Sequence, residues 1–211
     1  IKNFLQLAKF SDEMIRMGVN EKNPKFIATG LGKLEKTLKD MDGFIWEVAG
    51  LSKDYQLEPE DVDVPALLQE LGEDLAERAG ALSVKLDCAA EKDFPVVRGD
   101  GRSLYRALLN LVKNAFEAFK DKPDAWIRVR ARVTGPETYE ITVEDNGCGM
   151  PEEVRARLFE AFFSTKGKRG TGLGLMVVSR TVKMHGGVVT VESRPGIGTK
   201  FTLVLPRFFS R

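Results

Sequence analysis

Residues 139–150 read YEITVEDNGCGM, and this stretch decides the fold. Tyr139, Ile141 and Val143 alternate with polar residues, the period of two that makes a half-buried strand. The strand runs into Asp145-Asn146-Gly147-Cys148-Gly149-Met150. A carboxylate at a strand end can accept a hydrogen bond from a buried amino group, and the glycines let backbone approach a flat ring. Asp-Asn-Gly is also a common tight turn, so the segment alone leaves both readings open. Just upstream, Ile127, Val129, Ala131 and Val133 alternate with arginines and predict a neighbouring strand.

Working outward, the pattern switches to helical spacing. Pro65–Ala79 predicts an amphipathic helix with Leu67, Leu68, Leu71 and Leu75 inward, and Gly101–Phe119 another with Leu104, Leu108, Leu111 and Ala115 on one face. Leu173–His185 predicts a third, closed by Gly186-Gly187. Leu82–Cys88 predicts a strand; Val188–Glu192 and Lys200–Leu205 predict a final pair joined near Pro195-Gly196. Strands with long helices imply an α+β sandwich, one sheet face under helices and the other solvated.

The N-terminal part is different. Ile27, Leu31, Leu34, Leu38, Met41, Ile45 and Val48 form an a/d heptad, the pattern of a bundle helix. Glycines 30, 32, 43 and 50 weaken its intrinsic propensity, so packing must hold it. Ile1 to Met17 predicts a preceding helix, with Gly18–Pro24 as the turn. The two helices measure roughly 17 and roughly 30 residues, and the mismatch leads us to expect that the first continues before Ile1. A lone hairpin leaves its seam exposed, so a dimeric four-helix bundle is expected. Leu57–Asp63, polar and broken by Pro59, reads as a linker, which divides the chain into a hairpin over 1–57 and a second domain over 62–209.

Composition narrows the function. The 211 residues carry 32 Lys+Arg against 31 Asp+Glu, a balance that argues against a nucleic-acid partner. No apolar run suggests a membrane contact, and two cysteines without metal-knuckle spacing suggest a reducing, cytoplasmic setting. A single histidine, His185, excludes HExxH zinc sites; neither GxxxxGK[ST] nor GxSxG occurs.

The remaining motifs carry chemistry. Asn110 and Asn114, four apart, share a helical strip with Ser103 and Glu117 at the edge of the apolar stripe. A carboxamide oxygen there can ligate Mg2+, or both amides can simply bond neighbouring backbone. Gly170-Thr171-Gly172-Leu173-Gly174-Leu175 opens a helix; its free N–H groups can cradle phosphate, or the stretch is only a flexible glycine-rich lead-in. Between Asn146 and Gly170 no clear long element is evident, and a loop of that length is usually a lid or disordered. Gly196-Ile197-Gly198-Thr199 reads as a hairpin turn.

The order of these motifs, from the Asn pair through DNGCGM, LFEAFFSTK and GTGLGL to GIGTKFTLVLP, resembles the catalytic ATP-binding domain of sensor histidine kinases over roughly residues 62–208. The resemblance implies a Bergerat-type α/β sandwich with ATP and Mg2+ as ligands. It makes Asn114 the Mg2+ ligand, with Asn110 lining the phosphates. Asp145 would take the adenine amino group, Gly147 and Gly149 would shape the adenine floor, and Thr199 would support the pocket through Asp145. Phe159 and Phe162 would anchor the lid, Lys166 would reach a phosphate, and Gly170, Thr171, Gly172, Leu173, Gly174 and Leu175 would line the cradle. Hydrolases of the superfamily place a Glu where Asn110 stands; an amide cannot accept a proton, so phosphoryl transfer fits better than water activation.

Kinases of this kind phosphorylate a His in the first hairpin helix. His185 lies in MHGG near a helix end and reads as a helix-terminal His favoured by the dipole. Ile1-Lys2-Asn3-Phe4 resembles the tail of the family's acceptor pattern, which places the acceptor His just upstream of Ile1. The resemblance implies transfer to that His and then to an Asp of a response-regulator receiver domain, in a homodimer formed through the hairpin. The alternatives are an ATPase of the same superfamily, a serine kinase of the anti-sigma type, and a nucleotide-binding dimeric scaffold without autokinase activity.

Overall fold

The computed structural model describes residues 2–49, 56–119, 122–160, 162–165 and 172–208, with backbone alone at 2, 3, 40, 42, 44 and 46–49. The chain divides into two compact units, Ile1–Tyr55 and Gln56–Arg211.

The first unit is a hairpin of α1 (Lys2–Asn20) and α2 (Pro24–Ala49). A Cβ on Gly18 would meet Ile27 at 2.8 Å, one on Gly30 would meet Ile15 at 2.7 Å, and Lys33 lies over the Phe10 ring at 4.9 Å. Low numbers on one helix pair with high numbers on the other, so the helices are antiparallel. Gly18, expected in the turn, lies inside α1 and lets α2 approach. The turn is Glu21–Asn23, where Asn23 Oδ1 accepts from the Lys25 N–H at 3.2 Å and Pro24 opens α2.

The heptad splits rather than forming one seam. Ile27, Leu34 and Met41 are half-buried, and between them Gly30 and Thr37 are buried. Leu31, Leu38 and Ile45 are about half exposed. Close backbone approach at Gly30 draws α1 onto one side of the stripe and leaves the other side open.

The second unit begins earlier than the linker expectation allows. Leu57, assigned to the hairpin by sequence, is 5% exposed, and Glu60–Val62 (β1) pairs antiparallel with Val97–Gly99 (β3). Then come α3 (Val64–Ala81), β2 (Lys85–Ala90), α4 (Gly101–Glu117), β4 (Trp126–Val133), β5 (Thr138–Asp145), the short α5 (Glu152–Ala156), α6 (Gly174–Met184), β6 (Val188–Arg194) and β7 (Gly198–Pro206). The main sheet has the order β2-β4-β5-β7-β6; β2 and β4 are parallel and the other pairs antiparallel. Alternate sheet residues (Ile127, Val129, Tyr139, Ile141, Leu203, Leu205) join Leu68, Leu71, Leu104, Leu108, Leu111, Val178 and Val182 of the helices in one core. Short β1 and β3 were missed because three residues are too few to show a period.

In α2, Gly32 has nothing within 4 Å of its would-be Cβ, whereas at Gly30 the Ser11 carbonyl stands 3.0 Å away. Gly32→Ala should therefore stabilise the hairpin by about 0.5–1 kcal/mol, and Gly30→Ala should destabilise it by about 1–3 kcal/mol. Amide hydrogen exchange across α1 and α2 reads both changes; equal effects would contradict this packing.

Candidate functional site

The site is built where α4, β5 and α6 end or begin. Asp100 caps α4, accepting from the Ser103 N–H at 2.9 Å. Ten residues on, the helix presents Asn110 and Asn114, both half-buried on the strip beside Ala107 and Leu111. At its far end the Ala118 carbonyl, an orphan by position, accepts from the Cys148 N–H at 3.0 Å. That bond ties the end of α4, one turn past Asn114, to the turn that follows β5.

Asp145 closes β5 and is 6% exposed. Its Oδ1 accepts from the Gly147 N–H at 2.7 Å. Burial pushes its carboxyl up to about 6 against the opposing pull of the Gly147 and Thr199 backbone and the Lys122 ammonium. Thr199 is its cross-strand neighbour on β7, and the Thr199 hydroxyl lies 3.0 Å from Ser193 Oγ. Ser193 Oγ in turn accepts from the Met150 N–H at 2.9 Å. Asn146 plugs the sheet end, accepting from the Trp126 N–H at 2.8 Å and donating to the Asp124 carbonyl at 3.0 Å. Lys122 donates to the Asn146 carbonyl. Lys122 and Ser193 carry no signal in the sequence, since isolated polar residues show no spacing, and Asn146 is legible there only as part of the turn.

The glycines of the turn serve docking. A Cβ on Gly147 would meet that of Ala118 at 2.5 Å, one on Gly149 (φ +64°) would lie 2.0 Å from the Arg194 carbonyl, and one on Gly198 (φ +145°) would lie 2.0 Å from the Asp145 carbonyl. The turn before β7 is thus more than a hairpin: it interlocks with the turn after β5.

Leu173, the N-cap of α6, has an apolar side chain and gives the helix no side-chain cap. Leu173 is buried and Leu175 half-buried against the core, so only their backbone could line a cradle. Gly172 (φ +66°) accepts at its carbonyl from the Phe162 N–H at 3.1 Å, and a Cβ there would strike Phe162 backbone at 2.4 Å. This bond ties Phe162 to the glycine-rich segment. Lys166, Gly170 and Thr171 lie outside the described residues.

Phe162, expected to anchor a lid, has its side chain 73% exposed. Leu158 is buried in the core and Phe159 is partly buried against it. His185 is not a charged helix-end residue. It is 2% exposed, its Nε2 accepts from the Asp100 N–H at 2.9 Å, and its Nδ1 lies 2.8 Å from the Thr181 carbonyl. Burial holds the ring below the usual histidine range, and neutral imidazole satisfies both contacts.

Residues 99–208 match the model of the family described as histidine kinase-, DNA gyrase B-, and HSP90-like ATPase. The chain belongs to that family. Its catalytic ATP-binding module is of the sensor histidine kinase kind. It is 31% identical over 207 residues to sporulation kinase A of Bacillus subtilis (strain 168), covering 98% of this chain and 32% of that protein. Among solved structures it resembles full-length ShkA in complex with AMPPNP, with 26% identity and a TM-score of 0.75 over 97% of this chain and 46% of that one. Histidine kinase ThkA in complex with response regulator protein TrrA shares the fold, with 23% identity and a TM-score of 0.65 over 87% of this chain and 51% of that one. The chain spans about a quarter to a third of the length of the first curated relatives it matches.

In this kinase-type module no group of three or more His, Cys, Asp or Glu among the described residues could hold a metal. The donor set fits a hard cation held chiefly by substrate phosphates with one carboxamide, the usual habit of Mg2+. No helix among the described residues is long and apolar enough to cross a membrane.

The raised Asp145 carboxyl gives a pH dependence of definite sign. The folded state holds this proton more tightly than the unfolded chain, so this group's contribution to stability is fully present below about pH 4 and is lost as pH rises through about 6. A carbon-detected NMR titration should place the Asp145 midpoint near 6; a midpoint near 4 would show the carboxylate to be solvated.

Proposed function

We propose that this chain is the kinase portion of a two-component sensor. It binds ATP with Mg2+ and passes the γ-phosphoryl to a histidine, from which an Asp of a response-regulator receiver takes it. Asp145 accepts from the adenine amino group, Asn114 ligates Mg2+, and Asn110 lines the phosphates. Gly147 and Gly149 shape the adenine side, with Thr199 supporting Asp145. The backbone of Gly170–Leu175 cradles the phosphates, and Lys166 reaches one from the lid. When bound, Mg2+ neutralises the phosphate charge that phosphoryl transfer must carry.

The observation that carries this reading is the junction of α4 with the β5 turn, within a family of ATP-binding modules. It brings a buried carboxylate and a carboxamide-bearing helix to one end of the sheet. Asn110 favours transfer over hydrolysis, since an amide cannot take a proton from water. Relatives named as a sporulation kinase and a signal transduction histidine-protein kinase, and a neighbour solved with AMPPNP, support the same reading.

His185 is an unsuitable acceptor: it is buried, and its Nε2 already takes the Asp100 N–H. The acceptor is therefore a histidine outside this stretch, and the pattern Ile1-Lys2-Asn3-Phe4 supports a place just upstream of Ile1. The exposed row Leu31, Leu38 and Ile45 supports a homodimer through the hairpin. The transient partner is a receiver domain, and the setting is cytoplasmic. A receiver partner also accords with the fold neighbour ThkA, solved with response regulator protein TrrA.

Two measurements test this. Calorimetry with Mg·ATP should show Asp145→Asn and Asn114→Ala each weakening binding by about 10- to 100-fold; unchanged affinity in folded variants would remove these roles. Parent chain incubated with γ-labelled ATP should acquire acid-labile, base-stable label. Steady hydrolysis without protein label would instead support the ATPase reading.

A further inference from the structure

A buried polar node lies at the end of the second unit that carries the α4 N-terminus. Asp100 is 6% exposed, and its carboxylate and N–H join three segments. Its Oδ1 caps α4 through the Ser103 N–H at 2.9 Å, its Oδ2 accepts from the Glu58 N–H at 3.1 Å, and its own N–H donates to His185 Nε2 at 2.9 Å. His185 closes α6 as its C-cap, with the ring against Gly99, where an added Cβ would come within 3.2 Å. Two residues of one node therefore hold the start of α4, the end of α6 and the segment leading into β1.

We infer that Asp100 and His185 are positioning residues for the triphosphate end of the nucleotide, fixing α4 against α6 through the Asp100 N–H to His185 Nε2 bond. The inference rests on the nucleotide-binding reading above. α4 carries the metal-binding amide Asn114 and α6 begins at the phosphate cradle, and the two helices pack together. A helix is stiff over three or four turns, so a shift at one end is carried to the other. The adenine end depends instead on Asp145, whose contacts come from Gly147 and Thr199. Loosening the node should thus weaken what the triphosphate and Mg2+ add to binding and spare what the adenine contributes. A residue that merely stabilised the fold would lower both together.

The test is titration of the folded full chain with Mg·ATP by calorimetry and with adenosine, which lacks the phosphates, by NMR. Binding of Mg·ATP by the wild-type chain comes first; its absence would defeat the nucleotide reading itself. Given that binding, His185→Leu should lower Mg·ATP affinity by about tenfold while changing adenosine affinity by less than about twofold. His185→Gln, which keeps an acceptor near the Nε2 position, should restore most of the loss. Should His185→Leu not fold, His185→Phe supplies the same comparison, because it keeps a ring against Gly99 but offers the Asp100 N–H no acceptor. Equal losses for Mg·ATP and adenosine, or no loss in a folded variant, would overturn the inference.

Discussion

Two glycines from distant parts of the chain let backbone meet backbone, and the candidate site around Asp145 depends on that contact. Gly149 lies against the Arg194 carbonyl and Gly198 against the Asp145 carbonyl, each where a Cβ would stand at 2.0 Å. The interlock leaves the Asp145 carboxylate little access to water. Its cost of ionisation rises, and the Gly147 N–H and the Thr199 backbone offset only part of that cost. A larger residue at either glycine would separate the turns and hydrate the carboxylate.

α4 is held at both ends by groups that would otherwise be orphans. Asp100 takes the Ser103 N–H at its start, and the Ala118 carbonyl takes the Cys148 N–H at its finish. Between them the apolar face packs in the core, and Asn110 and Asn114 ride on its flank. The amides are thereby placed by a rigid helix, whereas the described part of the segment after α5 is held by Leu158 and Phe159 in the core and by a backbone bond between Phe162 and Gly172. Such a division suits a site that must admit and release a nucleotide.

The helical unit follows another logic. Small residues, Gly18 and Gly30, bring its helices together, and the exposed row of Leu31, Leu38 and Ile45 remains. Sequence showed the heptad but not which half of it α1 would cover. That choice depends on where backbones can approach, which hydrophobic spacing does not encode.

The main elements were legible because their periods are strong: Ile127 to Val133 and Tyr139 to Val143 alternate, and Leu104 to Ala115 repeats at helical spacing. The motif order also made the nucleotide chemistry legible. What was not legible is contact between residues far apart in the chain: Leu57 sinking into the second unit, Phe162 turning outward while Leu158 anchors, and His185 lying buried and neutral against Asp100. Local sequence determines which segments become helix or strand, because periodicity and turn residues act over a few neighbours. Only the tertiary structure decided the protonation and partners of Asp145 and His185, because burial and hydrogen bonding at those sites are set by segments tens of residues away.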